Sequence, residues 1–237
     1  MHNMILIAGV LLSGLIGVFL LYIAEQYMAQ RVPQPEEEPE ALSDEREEEE
    51  TSTLSPNRKR AILIGCLVLC NGAIAAFRDL FYHDITLNTV NLVLLCSVLW
   101  TCTLTDLRAK LIPNSVLIYG LLLRCVMLGA EMIVLPQELP LDLLRSVIAA
   151  VALFIATILC RLAMPKAVGF GDVKLLTLMG FFLGSDQIWG CVFFAMFTSF
   201  IYSAALLITK RANLKTEIPY APFLFLGTVT AAFLVSP

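Results

Sequence analysis

The feature that most limits what this chain can fold into is the grouping of its apolar residues, which come in long blocks rather than in short periodic stripes. About 20 consecutive apolar residues make a helix long enough to cross the hydrocarbon layer of a bilayer. On that measure the sequence holds spans at 4 to 24, 61 to 78, 87 to 105, 112 to 134, 142 to 163, 173 to 184, 187 to 209 and 218 to 235. The expected fold is all-α, a polytopic membrane protein with about eight transmembrane helices. The composition agrees: 58% of the 237 residues are hydrophobic and 15% are charged, which excludes an ordinary soluble domain. The sixth span is short and reads as a tilted or half-length helix.

The first block, Met4 to Ala24, has no positive segment before it and no small-x-small cleavage site after it. It reads as a retained membrane helix rather than a signal peptide. Lys and Arg in short loops set the orientation, because they favour the cytoplasmic side. If the chain starts outside, Arg31, Arg46, Arg58, Lys59, Arg60, Arg108, Lys110, Arg161, Lys166, Lys174, Lys210, Arg211 and Lys215 fall inside, and Arg78 and Arg145 fall outside. This alternation needs residues 173 to 184 to count as one crossing, and it puts both termini outside. The net charge of −4 says little about partners, because half of the acid lies between Glu36 and Glu50 and the remainder is net basic. Residues 31 to 60, rich in Pro, Glu, Ser and Arg, read as a disordered cytoplasmic linker. The expected organisation is therefore an N-terminal transmembrane helix over 1–30, the acidic linker over 31–60 and a membrane-embedded domain over 61–237. All seven cysteines lie in or beside apolar blocks with no CxxC pair, so they read as small buried hydrophobes and not as a zinc site.

Ionisable groups at membrane depth are costly, and each asks for a reason. With the loop charges set aside, Asp106, Arg124, Asp172 and Glu217 remain. Asp106 follows the run NLVLLCSVLWTCTLT and opens DLRAKLIPN; Asp172 sits in GFGDVKLL at the start of the sixth span. The topology brings both to the inner face. Each alone has a plain structural reading, Asp172 as a helix cap and Asp106 as a partner of Arg108 or Lys110 in a wet loop. Together they make another pattern. Two close carboxylates do not both ionise easily, so one keeps a proton as general acid while the other accepts one from the attacking water, as peptide hydrolysis requires. Asp172, at a helix N-terminus and near Lys174, reads as the base; Asp106, facing the negative end of the helix before it, reads as the acid.

Gly169 and Gly171 carry no side chains, which suits either a turn or the close approach of an extended peptide. Lys174 and Glu217 are further candidates for contact with substrate, against the readings of a lysine reaching for the interface and a plain interfacial carboxylate. Arg124 is expected to face other helices and to find a carbonyl or carboxylate there. His2 and His83 lie on the outer side and are dismissed as bases.

The blocks DLRAKLIPN (106–114), GFGDVKLLTLMGFFLG (169–184) and EIPYAPFLFLG (217–227) resemble, in the same order, the three conserved blocks of type IV prepilin leader peptidases, membrane aspartic proteases of the GxGD type. The resemblance covers roughly residues 61 to 237. It implies that Asp106 and Asp172 are the catalytic pair and that the substrates are prepilins or pseudopilins with short basic leaders. Cleavage would follow a glycine at the inner boundary of the cytoplasmic membrane, with no metal and no organic cofactor. Bifunctional members carry a stretch like G-x-x-x-GSFLNV at the first helix and a cytoplasmic domain with two zinc-binding CxxC pairs, associated with N-methylation of the cleaved pilin. Here GLIGVFLLY (14–22) keeps Gly17, Phe19 and Leu20 but has Val18 and Leu21 where Ser and Asn are expected, and the acidic linker stands in place of the zinc domain. That argues against methyl transfer.

Three other functions share parts of the pattern. An ion- or proton-coupled transporter also carries inward-facing carboxylates, but here they cluster at one face and no repeat pairs the two halves. A presenilin-like protease shares GxGD but has Tyr-Asp where this chain has Thr105 before Asp106. A non-catalytic scaffold of the same fold is the third. The partners expected are prepilin-like proteins and the lipid bilayer, not nucleic acid.

Overall fold

The computed structural model describes residues 2–31, 56–82, 86–137, 139–164, 169–209 and 218–234. The acidic segment 32–55 and Glu217 lie outside the described residues. In order, the described chain forms α1 (His2–Arg31), α2 (Pro56–Tyr82), α3 (Thr86–Ala109), α4 (Asn114–Val134), α5 (Leu139–Ala163), α6 (Phe170–Ile208) and α7 (Ala221–Leu234). No strand occurs among the described residues, and 6 of these helices are long and apolar enough to cross a membrane. The all-α polytopic fold expected from the apolar blocks is borne out. α2 starts earlier than the expected residue 61, at Pro56, because a proline lacks only an N–H that the first turn of a helix would leave unpaired.

The helix count differs from expectation in α6. The segments expected at 173 to 184 and 187 to 209 run together as one helical element, so seven helices are found among the described residues. Its two halves are not collinear. Gly184 has φ 67° and ψ −177°, a conformation that side chains exclude, and the chain turns back there. Before the turn, Phe170 lies under the Arg161 guanidinium and Gly180 abuts Ala149 and Ala150, so this half runs antiparallel to α5. After it, Gly227 rests on Cys191 and Ala195 while Tyr202 meets Phe223, so the second half runs antiparallel to α7.

α3 is the central helix. Leu92, Leu94, Leu95, Val98, Leu99 and Cys102 are buried, and α1, α2, α4, α6 and α7 pack around it. The outer helices turn large apolar side chains outward, among them Ile133, Leu162, Phe200 and Ile208. Such a surface is unfavourable in water and ordinary in lipid. Inside, polar side chains bond between helices: Asn71 of α2 donates to Ser13 of α1 at 3.1 Å and to Ser97 of α3 at 3.3 Å. Bonds of this kind contribute about 1 kcal/mol each in a membrane bundle and tie α1 to the core.

Candidate active site

α3 closes on TCTLTDLRAK. Thr101 and Thr105 fold their hydroxyls back onto the carbonyls of Ser97 (3.0 Å) and Cys102 (2.9 Å), so both cross an apolar interior with their donors used. Asp106 comes one turn after Cys102 and is 6% exposed. Lys110, at φ 50°, ends the helix, its N–H bonding the Asp106 carbonyl at 2.9 Å. The Asp106 side chain reaches a different element. Its Oδ2 accepts the N–H of Ala221, the first residue of α7, at 2.9 Å, and the Tyr220 amide also points to it. Pro219 and Pro222 have no N–H, so α7 starts with few free donors, and Asp106 takes one of them. The expectation that Asp106 faces only the negative end of its own helix is corrected: its carboxylate meets the positive end of α7.

α6 begins after Gly169, whose backbone is extended (φ −71°, ψ 150°). Asp172 Oδ2 accepts the Gly169 N–H at 3.2 Å while the Val173 N–H bonds the Gly169 carbonyl at 3.3 Å. This carboxylate therefore caps its own helix. The two glycines serve different ends. A Cβ on Gly169 would stand 3.1 Å from Asp172 Oδ2, whereas one on Gly171 would stand 3.0 Å from the Cβ of Ile112. Gly169 keeps the space beside the carboxylate open; Gly171 lets the loop after α3 close onto the start of α6. Lys174 braces the same junction, its Nζ donating to Asn114 Oδ1 at 2.9 Å on an exposed edge.

Asp106 and Asp172 thus arrive at one end of the bundle. Gly171 beside Asp172 packs on Ile112, and Lys174 bonds Asn114, so the start of α6 closes on the loop that leaves α3 three residues after Asp106. Tyr220 joins them: burial pushes its phenol up to about 12, with the charge of Asp172 as the second cause, so it stays a neutral O–H donor. Sequence reading passed over Tyr220, although its place between Pro219 and Pro222, beside a helix start on the aspartate side, was the signal for it. One buried and one half-buried carboxylate within each other's influence form a pair that can share a proton.

The remaining buried charges lie at the other end. Arg124 Nε donates to the Phe181 carbonyl at 3.1 Å and its Nη1 pairs with Glu131 Oε1 at 2.6 Å, so the carbonyl and carboxylate expected for Arg124 are both present. Glu131 was not singled out from the sequence. Arg78, expected on the outer side at the end of the span 61 to 78, is buried in the last turns of α2. A polar cavity of about 160 Å³ opens at this end, lined by Asn91, Arg124, Glu131, Arg145, Ser146 and Asp186 among others.

Among known proteins, the model of the type IV leader peptidase family matches residues 93–207. Asp106 and Asp172 fall inside the matched segment, and Tyr220 falls beyond it. The chain is 29% identical over 147 residues to a prepilin leader peptidase/N-methyltransferase of Bacillus subtilis (strain 168), which covers 62% of this chain and 56% of that protein. The chain therefore spans little more than half the length of that relative. No solved structure matches.

Proposed function

Starting from a chain that resembles the type IV leader peptidase family and matches it over residues 93–207, we propose that it is a membrane aspartic endopeptidase that removes the basic leader from type IV prepilin-like or pseudopilin proteins. The observation that carries this reading is the meeting of Asp106 and Asp172 at one end of the bundle, where Ile112 seats on Gly171. In the proposed reaction one carboxylate takes a proton from the water that attacks the scissile carbonyl, and the other, protonated, gives its proton to the carbonyl oxygen. Collapse of the diol then releases the new carboxyl and passes a proton to the leaving amine. Both carboxylates sit at helix N-termini, so the helix dipole does not divide the roles between them.

Two features support cleavage at the cytoplasmic face. Arg58, Arg60, Arg108, Lys110, Arg161 and Lys174 belong to the aspartate end, and exposed Arg145 to the other. The 14 residues of α7 span about 21 Å and the half of α6 before Gly184 about as much, against a hydrocarbon layer of about 30 Å. With their far ends at the opposite face, both helices start below the aspartate-side face. That recess suits a scissile bond placed where a substrate's hydrophobic helix gives way to its basic leader. Gly169, with room beside Asp172, is proposed to face the substrate backbone, and Lys174 and Glu217 to flank it.

The test is co-expression with a short prepilin from the same genome, read as a leader-sized mobility shift. Asp106→Asn and Asp172→Asn each abolish the shift if the proposal holds, and normal cleavage by either variant sinks it. Cleavage alone is proposed: with Val18 and Leu21 in the first helix, labelled S-adenosylmethionine should leave the processed pilin unlabelled.

A further inference from the structure

We propose that Arg124 is a positioning residue that sets the height of Asp172 against Asp106 from the far end of the bundle. Only the activity arm of its test rests on the peptidase reading. Gly184 departs from helical φ/ψ, and Phe181 lies in the turn before it, where a helix end leaves carbonyls in need of donors. Arg124 of α4 supplies the donor, with Nε 3.1 Å from the Phe181 oxygen. The same guanidinium holds Glu131 at 2.6 Å and reaches Ser146 Oγ of α5 at 3.5 Å. Glu131 Oε1 accepts Asn91 Nδ2 of α3 at 2.5 Å. One buried cation therefore joins four helices at a single level.

Two of those helices carry the carboxylates. α3 bears Asn91 near its start and Asp106 near its end; α6 bears Phe181 before its break and Asp172 in its first turn. A helix advances about 1.5 Å per residue, so a slip of one residue at the cluster displaces Asp172 by that much against Asp106. Apolar contacts along the shared faces, such as Leu178 and Val98 against Gly120, are non-directional and resist sliding weakly. Directed bonds from a guanidinium admit one register. Misplacement of about 1 Å at a reacting centre can lower the rate about 100-fold.

The test uses the full chain in membranes and two cysteine pairs. Asn114→Cys with Lys174→Cys reads the junction at the aspartate end, where the native side chains meet at 2.9 Å. Glu25→Cys with Arg60→Cys, native contact 2.7 Å, reads α1 against α2 and serves as the control. A short bifunctional maleimide joins each pair, and mass spectrometry of the joined peptides gives the yields apart from the native cysteines. Arg124→Met combined with Glu131→Gln removes the donor without stranding a charge. The 114–174 yield should then fall severalfold, since a slip of one residue moves the junction by about 1.5 Å, with the control yield kept. Arg124→Lys, which retains a donor for the Phe181 carbonyl, should recover most of that yield. An unchanged 114–174 yield in the double variant overturns the proposal, and so does a lysine variant no better than it. In the chain without added cysteines, kcat should drop about 100-fold with KM within about twofold. The crosslinks report register whether or not a prepilin is cleaved, so absent cleavage by the parent chain with the crosslink pattern intact counts against the peptidase reading alone.

Discussion

Asp106 is bonded as a helix cap and proposed as a catalyst, and two substitutions separate these roles. Asp106→Ala removes the acceptor of the Ala221 N–H, a 2.9 Å bond at a buried site. A lost N-cap costs about 0.5–2 kcal/mol and a stranded buried donor about 1–3 kcal/mol; both describe the same loss, so about 1–3 kcal/mol is expected. For a chain of this size that lowers the unfolding midpoint by about 2–12 °C. Asp106→Asn keeps an oxygen to accept the bond. Charge-assisted bonds are about twice as strong as neutral ones, so this variant should lose about half as much or less. Neither variant can exchange the proton, and cleavage should fall about 10²–10⁴-fold in both. Thermal unfolding in mild detergent, followed by the fluorescence of Trp100 and Trp189, gives the first quantity, and cleavage of a purified prepilin gives the second. Equal midpoints for the alanine and asparagine variants would refute the cap, and near-parental cleavage by the asparagine variant would refute the catalytic role.

Three further substitutions probe the frame around the site. Gly184→Ala forces a side chain into φ 67°, ψ −177°, and should destabilise by about 1–3 kcal/mol, seen as a lower unfolding midpoint. Gly227→Ala would put a Cβ 2.5 Å from the Cys191 carbonyl and 2.6 Å from the Ala195 nitrogen; backbone cannot yield cheaply there, so α7 must shift and about 1–3 kcal/mol is lost by the same measurement. Tyr220→Phe removes a phenol held protonated up to about 12, so the limbs of the pH–rate profile between about pH 4 and 9 should stay where they are; a displaced limb would show that Tyr220 titrates in the working range.

What could be read from the sequence and what could not divide along a physical line. Span length depends on local apolar runs, so the all-α membrane fold was legible. The turn in α6 was half legible: a short segment from 173 to 184 was expected, but a positive φ leaves no trace beyond a glycine, and Gly184 sits between Leu183 and Ser185 without a proline to mark it. Arg124 stood out because a guanidinium among Leu122, Leu123 and Cys125 must find a partner. Its partner was in reach, since Glu131 follows by seven residues, two turns along the same helix face. Arg78 was expected on the outer side at the end of the span 61 to 78; its burial was not legible, because α2 runs on to Tyr82, past the apolar run. The bond from Asp106 to Ala221 joins residues 115 positions apart, and no local pattern records such a contact.

That long-range bond ties the proposed chemistry to the fold. A helix that starts within or at the edge of hydrocarbon has N–H groups that water does not reach, and each needs an acceptor from the protein. At the start of each of α7 and α6 a catalytic candidate is the acceptor: Asp106 for the buried N–H of Ala221 and Asp172 for the exposed N–H of Gly169. A lone carboxylate that caps a helix would weaken its cap on taking up a proton, because the bond would lose its ionic part. A pair sharing one proton avoids losing both caps together, since one member stays ionised while the other keeps an uncharged oxygen as acceptor. Moving the proton from one aspartate to the other during hydrolysis would exchange a strong cap on one helix for a strong cap on the other. On this view the dyad and the two helix starts depend on each other: the helices bring the carboxylates to one end of the bundle, and the carboxylates supply acceptors for N–H groups at those starts.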